Sequence, residues 1–202
     1  MKSSPETRYD QVAKTFDLIR SGDTRRWKEP QTRFFRQLRG KTLYVGIGTG
    51  LEIVNFPPGL DMVAIDTSRE MLGRSRPRVD LYPGKMRLCL MDAERVGFPD
   101  NHFDSILTVC VLCTVKNPVN GLKELYRVLK PGGRLLSFEH VLSRNPFYSI
   151  PLRLMSVISS TLTGSYLTRD TVSNIRRAGF RVESDTNVYL DIVKAVVGIK
   201  PA

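Results

Sequence analysis

The apolar run Lys41–Val45 leads straight into Gly46-Ile47-Gly48-Thr49-Gly50, and a second apolar run, Asp61–Ile65, ends at Asp66. Three glycines in five residues let a chain turn tightly after a strand and bring bare backbone close to a ligand. Asp66 follows Gly46 by twenty residues, at the end of the next strand. An acid there can accept hydrogen bonds from both hydroxyls of a ribose. A glycine turn alone also suits an ordinary tight turn, and Asp66 alone suits a surface acid or a helix cap. Together they favour a nucleotide-type site. The spacing is Gly-x-Gly-x-Gly, because position 51 is leucine, and this argues against a dehydrogenase.

Further strands and helices alternate after the turn. Met86–Leu90, Phe103–Val111 and Arg134–Glu139 read as strands; Leu51–Phe56, Ser68–Arg76 and Asn120–Leu129 read as helices. Ser68 is a candidate cap, and Lys130-Pro131-Gly132-Gly133 stops the third helix. Thr168–Ala178 reads as one more helix, and Phe180–Glu183 with Val188–Gly198 as a closing antiparallel pair. This order predicts an α/β fold: a Rossmann-like, seven-stranded, mostly parallel sheet with one antiparallel edge strand and helices on both faces. Ahead of it, residues 8–20 and 25–39 show helical spacing, with Pro30 at a helix start. The chain divides into basic amphipathic helices at 1–40 that cap the site and an α/β domain at 41–202. Within the latter, 141–167 is an apolar lid insertion.

Composition narrows the class. Residues 1–40 carry ten Lys/Arg against five Asp/Glu, and 141–181 carry six against one, while 41–140 are nearly balanced at thirteen against eleven. Two basic flanks around a neutral body suggest an anionic partner: nucleic acid, an anionic membrane surface or an acidic substrate. A merely soluble surface fits as well. The opening MKSSPETRYDQVAK lacks an apolar leader core, and no run of about 20 apolar residues spans a bilayer. A cytoplasmic protein, at most peripheral on the inner membrane face, is expected. The three cysteines, Cys89, Cys110 and Cys113, suit a reducing compartment. Cys110 and Cys113 end an apolar strand and have no second pair, which favours core or cavity-wall cysteines over zinc.

The stretches LYVGIGTGLE (43–52), VAIDTSREML (63–72), DAERVGFPDNHFDSILTVCVLCTV (92–115) and LKELYRVLKPGGRLLSFEH (122–140) resemble the class I S-adenosylmethionine-dependent methyltransferases. The resemblance is close to the ubiquinone/menaquinone-type and bacterial phospholipid N-methyltransferases, and extends to small thiol methyltransferases. It implies S-adenosylmethionine as cofactor and S-adenosylhomocysteine as product. The methionine end would lie at Gly46, Gly48 and Gly50, the ribose at Asp66, and the adenine at Asp92 and Ala93. Thr49, Thr67, Met71 and Val109 would add contacts. One position departs from the pattern: where many members carry an acid that helps hold the cofactor's amino group, two residues before the first glycine, this chain has Tyr44.

Val111-Leu112-Cys113-Thr114 differs from the (Asp/Asn)-Pro-Pro-(Phe/Tyr) segment of enzymes that methylate base amines. The repeated aromatic–acid pair Tyr9-Asp10 and Phe16-Asp17 matches the quinone and lipid enzymes, where Tyr9 and Phe16 would face the sulfonium. His140 is a candidate general base or a structural histidine. Pro146–Leu167 holds one charge, Arg153, among apolar and hydroxyl groups, and suits a lid over an amphiphilic acceptor. The expected activity is direct methyl transfer to a phospholipid amine or quinone precursor. A soluble small-molecule acceptor (a thiol included), an RNA acceptor and a non-catalytic cofactor-binding role are the alternatives; no metal is required.

Overall fold

The computed structural model describes residues 5–143, 145–162 and 165–202. Seven strands form one sheet: β1 (Lys41–Val45), β2 (Asp61–Asp66), β3 (Lys85–Leu90), β4 (Phe103–Val109), β5 (Leu129–His140), β6 (Arg181–Tyr189) and β7 (Val193–Ile199). Their spatial order is β3-β2-β1-β4-β5-β7-β6. β1 pairs in parallel with β2 and β4, β2 with β3, and β4 with β5. β7 runs antiparallel to both β5 and β6. The antiparallel strand thus sits one place in from the edge, between β5 and β6. Order reverses between β1 and β4, and in open α/β sheets that switch point opens a crevice at the carboxyl ends of the strands.

The helices are α1 (Pro5–Phe35), α2 (Arg69–Asp80), α3 (Pro118–Val128), α4 (Pro146–Leu162) and α5 (Thr171–Arg177). Strand alternation sorts the core into two layers. Leu43, Val45, Val63, Ile106 and Leu135 face α3 and α5. Tyr44, Met62, Ala64, Leu107 and Phe138 face the opposite side, which α1 covers with Trp27, Phe34 and Phe35. α1 also packs on α2 and on the short 3-10 turn Leu51–Asn55, which stands where a helix was expected.

Local signals set most ends. Ser68 caps α2 by accepting the Met71 N–H at 3.0 Å, and Asn117 caps α3 by accepting the Asn120 N–H at 3.2 Å. Other ends differ from the sequence reading. α1 is one 31-residue helix with Pro30 inside it, not two helices parted before Pro30. Proline costs a helix interior about 3 kcal/mol, but burial of Trp27, Phe34 and Phe35 on the sheet holds the helix through it. β5 begins at Leu129, not Arg134: Leu129 pairs with Phe103 of β4, Gly132 N–H donates to the Lys200 carbonyl (2.8 Å) and Lys200 N–H to that of Gly133 (3.1 Å). β4 stops at Val109, where Cys110 takes a positive φ of 51° and the chain leaves the sheet. Among the described residues no helix is long and apolar enough to cross a membrane.

Trp27 meets Phe138 and Tyr189 edge-on, with ring centroids 6.1 and 5.4 Å apart. Removing such a buried aromatic costs about 3–5 kcal/mol. Trp27→Ala is therefore expected to lower unfolding free energy by about that much in a urea titration.

Candidate active site

Gly46, Gly48 and Gly50 have φ of 70°, 57° and 80°, the left-handed region that favours glycine. A Cβ at Gly46 would lie 2.3 Å from Val111 Cγ2, so only glycine fits against that wall. At Gly48 the nearest atom would be Phe16 Cε1 at 3.7 Å. Asp66, at the end of β2, accepts the Gly48 N–H on one oxygen (2.8 Å) and the Ser68 N–H on the other (3.0 Å). Burial raises its pKa, and the N–H groups of Ser68 and Gly48 oppose the rise.

A cavity of about 630 Å³ opens over these strand ends, a size typical of small-molecule and cofactor sites. Tyr9, Gly46, Gly48, Asp66, Thr67, Met71, Asp92, Ala93, Val109 and His140 all line it. Thr49 and Gly50 are not among the lining residues. The Thr49 hydroxyl donates to Asp17 and its carbonyl accepts from Arg78, while Gly50 faces Ile53 and Ser75. These two shape the turn behind the wall. An open Gly48, an acid at Asp66 and an Asp92-Ala93 corner beyond β3 are donors and acceptors that fit an adenosine cofactor.

The aromatic–acid repeat divides its labour. Tyr9, Phe16 and Arg20 of α1 line the cavity. Asp10 accepts the Ser68 hydroxyl and, at 3.3 Å, the Glu70 N–H, and Asp17 accepts from Thr49 and from Arg78, the latter at 2.6 Å. Seven residues is about two helical turns, so one face of α1 is bonded to α2 and the glycine turn while its neighbour faces the cavity. The Tyr9 hydroxyl lies 3.0 Å from Ser165 Oγ, and burial pushes its pKa up to about 12, so it stays protonated at neutral pH.

Cys110 and Cys113 both line the cavity. Alternation along a strand would place them on opposite sides, but the strand has ended at Val109. Burial raises both thiols above their ordinary pKa. Among the described residues no group of His, Cys, Asp and Glu could hold a metal ion. Sequence reasoning missed Arg20, Asp23 and Glu52, and Met155 and Ser159 of α4, all of which line the cavity. The position of Arg20, four residues after Phe16 on one helical face, was the available signal for the first.

His140 and Glu139 face apart, as strand neighbours do. His140 lines the cavity; burial, then Arg20, lowers its pKa, so the imidazole is neutral near pH 7. The buried Glu139 accepts the N–H groups of Val111 (3.2 Å) and Leu112 (3.3 Å) on Oε1. It thereby holds the wall after β4 in place. Burial, reinforced by Cys110, raises its pKa to about 8 against those two N–H groups.

Comparison with known proteins gives this geometry its family. The methyltransferase-domain family model matches residues 43–137. The ubiquinone/menaquinone biosynthesis C-methyltransferase UbiE of Geotalea daltonii is 31% identical over 166 residues, covering 74% of this chain and 71% of that protein. The UbiE of Geobacter sulfurreducens is 34% identical, and the match covers 59% of its length. The phosphatidylethanolamine N-methyltransferase of Cereibacter sphaeroides is 36% identical over 104 residues, which are 50% of this chain and 51% of that protein. A solved S-adenosylmethionine-dependent methyltransferase from Thermotoga maritima, 18% identical, superposes with a TM-score of 0.72 over 98% of this chain and 100% of that one. It shows the same fold. Fold, glycine turn and strand-end cavity together define a Rossmann-like methyltransferase. The chain belongs to the class I S-adenosylmethionine-dependent methyltransferase family, and it spans 51–64% of the length of several of the curated relatives it matches.

Glu139 carries a pH signature. Its pKa is about 8 folded against a reference value of 4.5. A raised carboxyl contributes stability that is fully present below the unfolded pKa and lost as pH rises through the folded one. The parent's thermal midpoint is expected to fall between pH 5 and pH 9, and Glu139→Gln to flatten that fall. An unchanged slope in the variant would assign the pH dependence to other groups.

Proposed function

We propose that the protein transfers the methyl group to an amphiphilic acceptor, a quinone precursor or a phospholipid amine, drawn from an anionic membrane surface. The observation that carries this reading is α4. Met155 and Ser159 line the cavity, while Ile150 and Leu154 of the same helix are 62% and 67% exposed and Met155 itself 58%. An apolar track thus runs from the surface to the cavity, as suits an acceptor with one polar, reacting end and a hydrocarbon body. The basic segments 1–40 and 141–181 supply attraction to anionic lipid. The names of the UbiE and phosphatidylethanolamine relatives agree with this acceptor class.

In this reading Gly46 and Gly48 hold the methionine end, Asp66 the ribose with Thr67 beside it, and Asp92 and Ala93 the adenine, with Met71 and Val109 as packing. The bound cofactor supplies an electrophilic methyl on a sulfonium. Tyr9 and Phe16 present aromatic faces that favour a cation and exclude water. Tyr9 acts as a neutral wall and hydrogen-bonding group, since its raised pKa removes it as a base. The neutral His140 ring nitrogen takes the proton of an acceptor that is protonated at its nucleophile.

Two measurements test this. Asp66→Ala removes a charged acceptor and the anchor of Gly48, and is expected to weaken S-adenosylhomocysteine binding in calorimetry by about tenfold or more. Parental affinity would overturn the cofactor placement. Methyl-labelled S-adenosylmethionine, incubated with the protein and a cell lysate, is expected to place label in the organic-soluble fraction. Label confined to the aqueous or RNA fraction would overturn the acceptor class while leaving the cofactor site intact.

A further inference from the structure

The methionine end of S-adenosylmethionine is a zwitterion, and a closed cavity must supply one charge for each of its groups. The position expected to supply the acid is Tyr44. Tyr44 is 1% exposed, is not among the lining residues, and sets its ring edge-on against Phe56 at 5.2 Å. Its hydroxyl, however, donates to Glu52 Oε2 at 3.3 Å. Glu52 does line the cavity. Its other oxygen accepts from Arg20 at 3.2 Å, and Arg20 Nε lies 3.5 Å from Asp23 Oδ2. Arg20, Asp23 and Glu52 share the cavity wall with Gly46 and Gly48.

We propose that Glu52 receives the ammonium and Arg20 the carboxylate of the cofactor's methionine end, with Tyr44 as the positioning residue for Glu52. This rests on the placement of the cofactor given above. The acid lost from β1 is thereby recovered from the 3-10 turn, eight residues on, through the tyrosine hydroxyl that points to it. An isolated ion pair on a cavity wall gains little, because desolvation offsets attraction. A zwitterion set against the cluster gives Glu52 a second cationic neighbour and Arg20 an anionic one beyond Glu52 and Asp23. Burial raises the Glu52 carboxyl and Arg20 opposes that rise, so an arriving ammonium favours the ionised form further. Arg20 also lies on α1 one turn beyond Phe16, so the amino-acid end of the ligand ties that helix to the glycine turn.

Four probes separate the groups by calorimetry: S-adenosylhomocysteine, its analogue lacking the carboxylate, its analogue lacking the amine, and 5′-methylthioadenosine, which lacks the amino-acid end. Charge-assisted hydrogen bonds set the scale at about tenfold to a hundredfold. The parent is expected to bind S-adenosylhomocysteine at least about tenfold tighter than 5′-methylthioadenosine. Glu52→Gln is expected to weaken the two amine-bearing amino-acid probes by about tenfold or more, and the other two less than about twofold. Arg20→Met is expected to do the same to the two carboxylate-bearing probes. Tyr44→Phe is expected to reproduce the Glu52→Gln pattern at smaller size, about threefold. Binding of 5′-methylthioadenosine at parental affinity certifies the fold of each variant. If Arg20→Met fails that check, Arg20→Gln replaces it, and the parent's own ranking of the probes needs no variant. Equal loss across all four probes, no loss in any, or a parent that binds S-adenosylhomocysteine and 5′-methylthioadenosine alike would overturn the proposal. A parent that binds none of the four would overturn the cofactor placement itself.

Discussion

The bond from the Gly48 N–H to Asp66, at 2.8 Å, joins the two strands that matter most to the site. A turn with three left-handed glycines has high conformational entropy when free. The carboxylate of the neighbouring strand end fixes it, and the same carboxylate orders the start of α2 through Ser68. A single side chain thus sets the floor of the cavity and the direction of the helix beside it. Its remaining lone pairs are left to face the cavity.

α1 closes the site by a different division of forces. Its second half is held by apolar burial, with Trp27, Phe34 and Phe35 in the core beneath the sheet. Its first half is held by polar contacts, Asp10 to Ser68 and Glu70, and Asp17 to Thr49 and Arg78. Hydrophobic burial is undirected, whereas hydrogen bonds have preferred distances and angles. Bulk stability therefore comes from one end of the helix and alignment of Tyr9, Phe16 and Arg20 from the other.

What could be read from the chain follows from which interactions are local. Glycine at positive φ, strand runs of apolar residues and helix caps are written in adjacent residues, so the turn, the alternating fold, Asp66 and the Asp92-Ala93 corner were legible. Ser68 and its cap belong to the same class. The unbroken α1 was not, because Pro30 is a local stop signal outweighed by burial against strands far along the chain. Nor was the cluster of Arg20, Glu52 and Tyr44: Arg20 and Glu52 are 32 residues apart, and only the folded sheet brings the tyrosine tip to the carboxylate. Strand alternation misplaces the two cysteines because the strand ends at Val109, one residue before Cys110 and four before Cys113.

The position of β7 has a consequence for how the molecule is made. β7 follows the other six strands of the sheet in sequence yet lies between β5 and β6. During synthesis β5 therefore emerges with an open edge bearing Leu135, Leu136 and Phe138, and β6 emerges with no neighbour to pair with. Exposed apolar edges template pairing with other chains, and translation at about 5–20 residues per second leaves that edge uncovered until β7 arrives. The last strand acts as a keystone, and shielding of the nascent chain matters most in the interval before it is set.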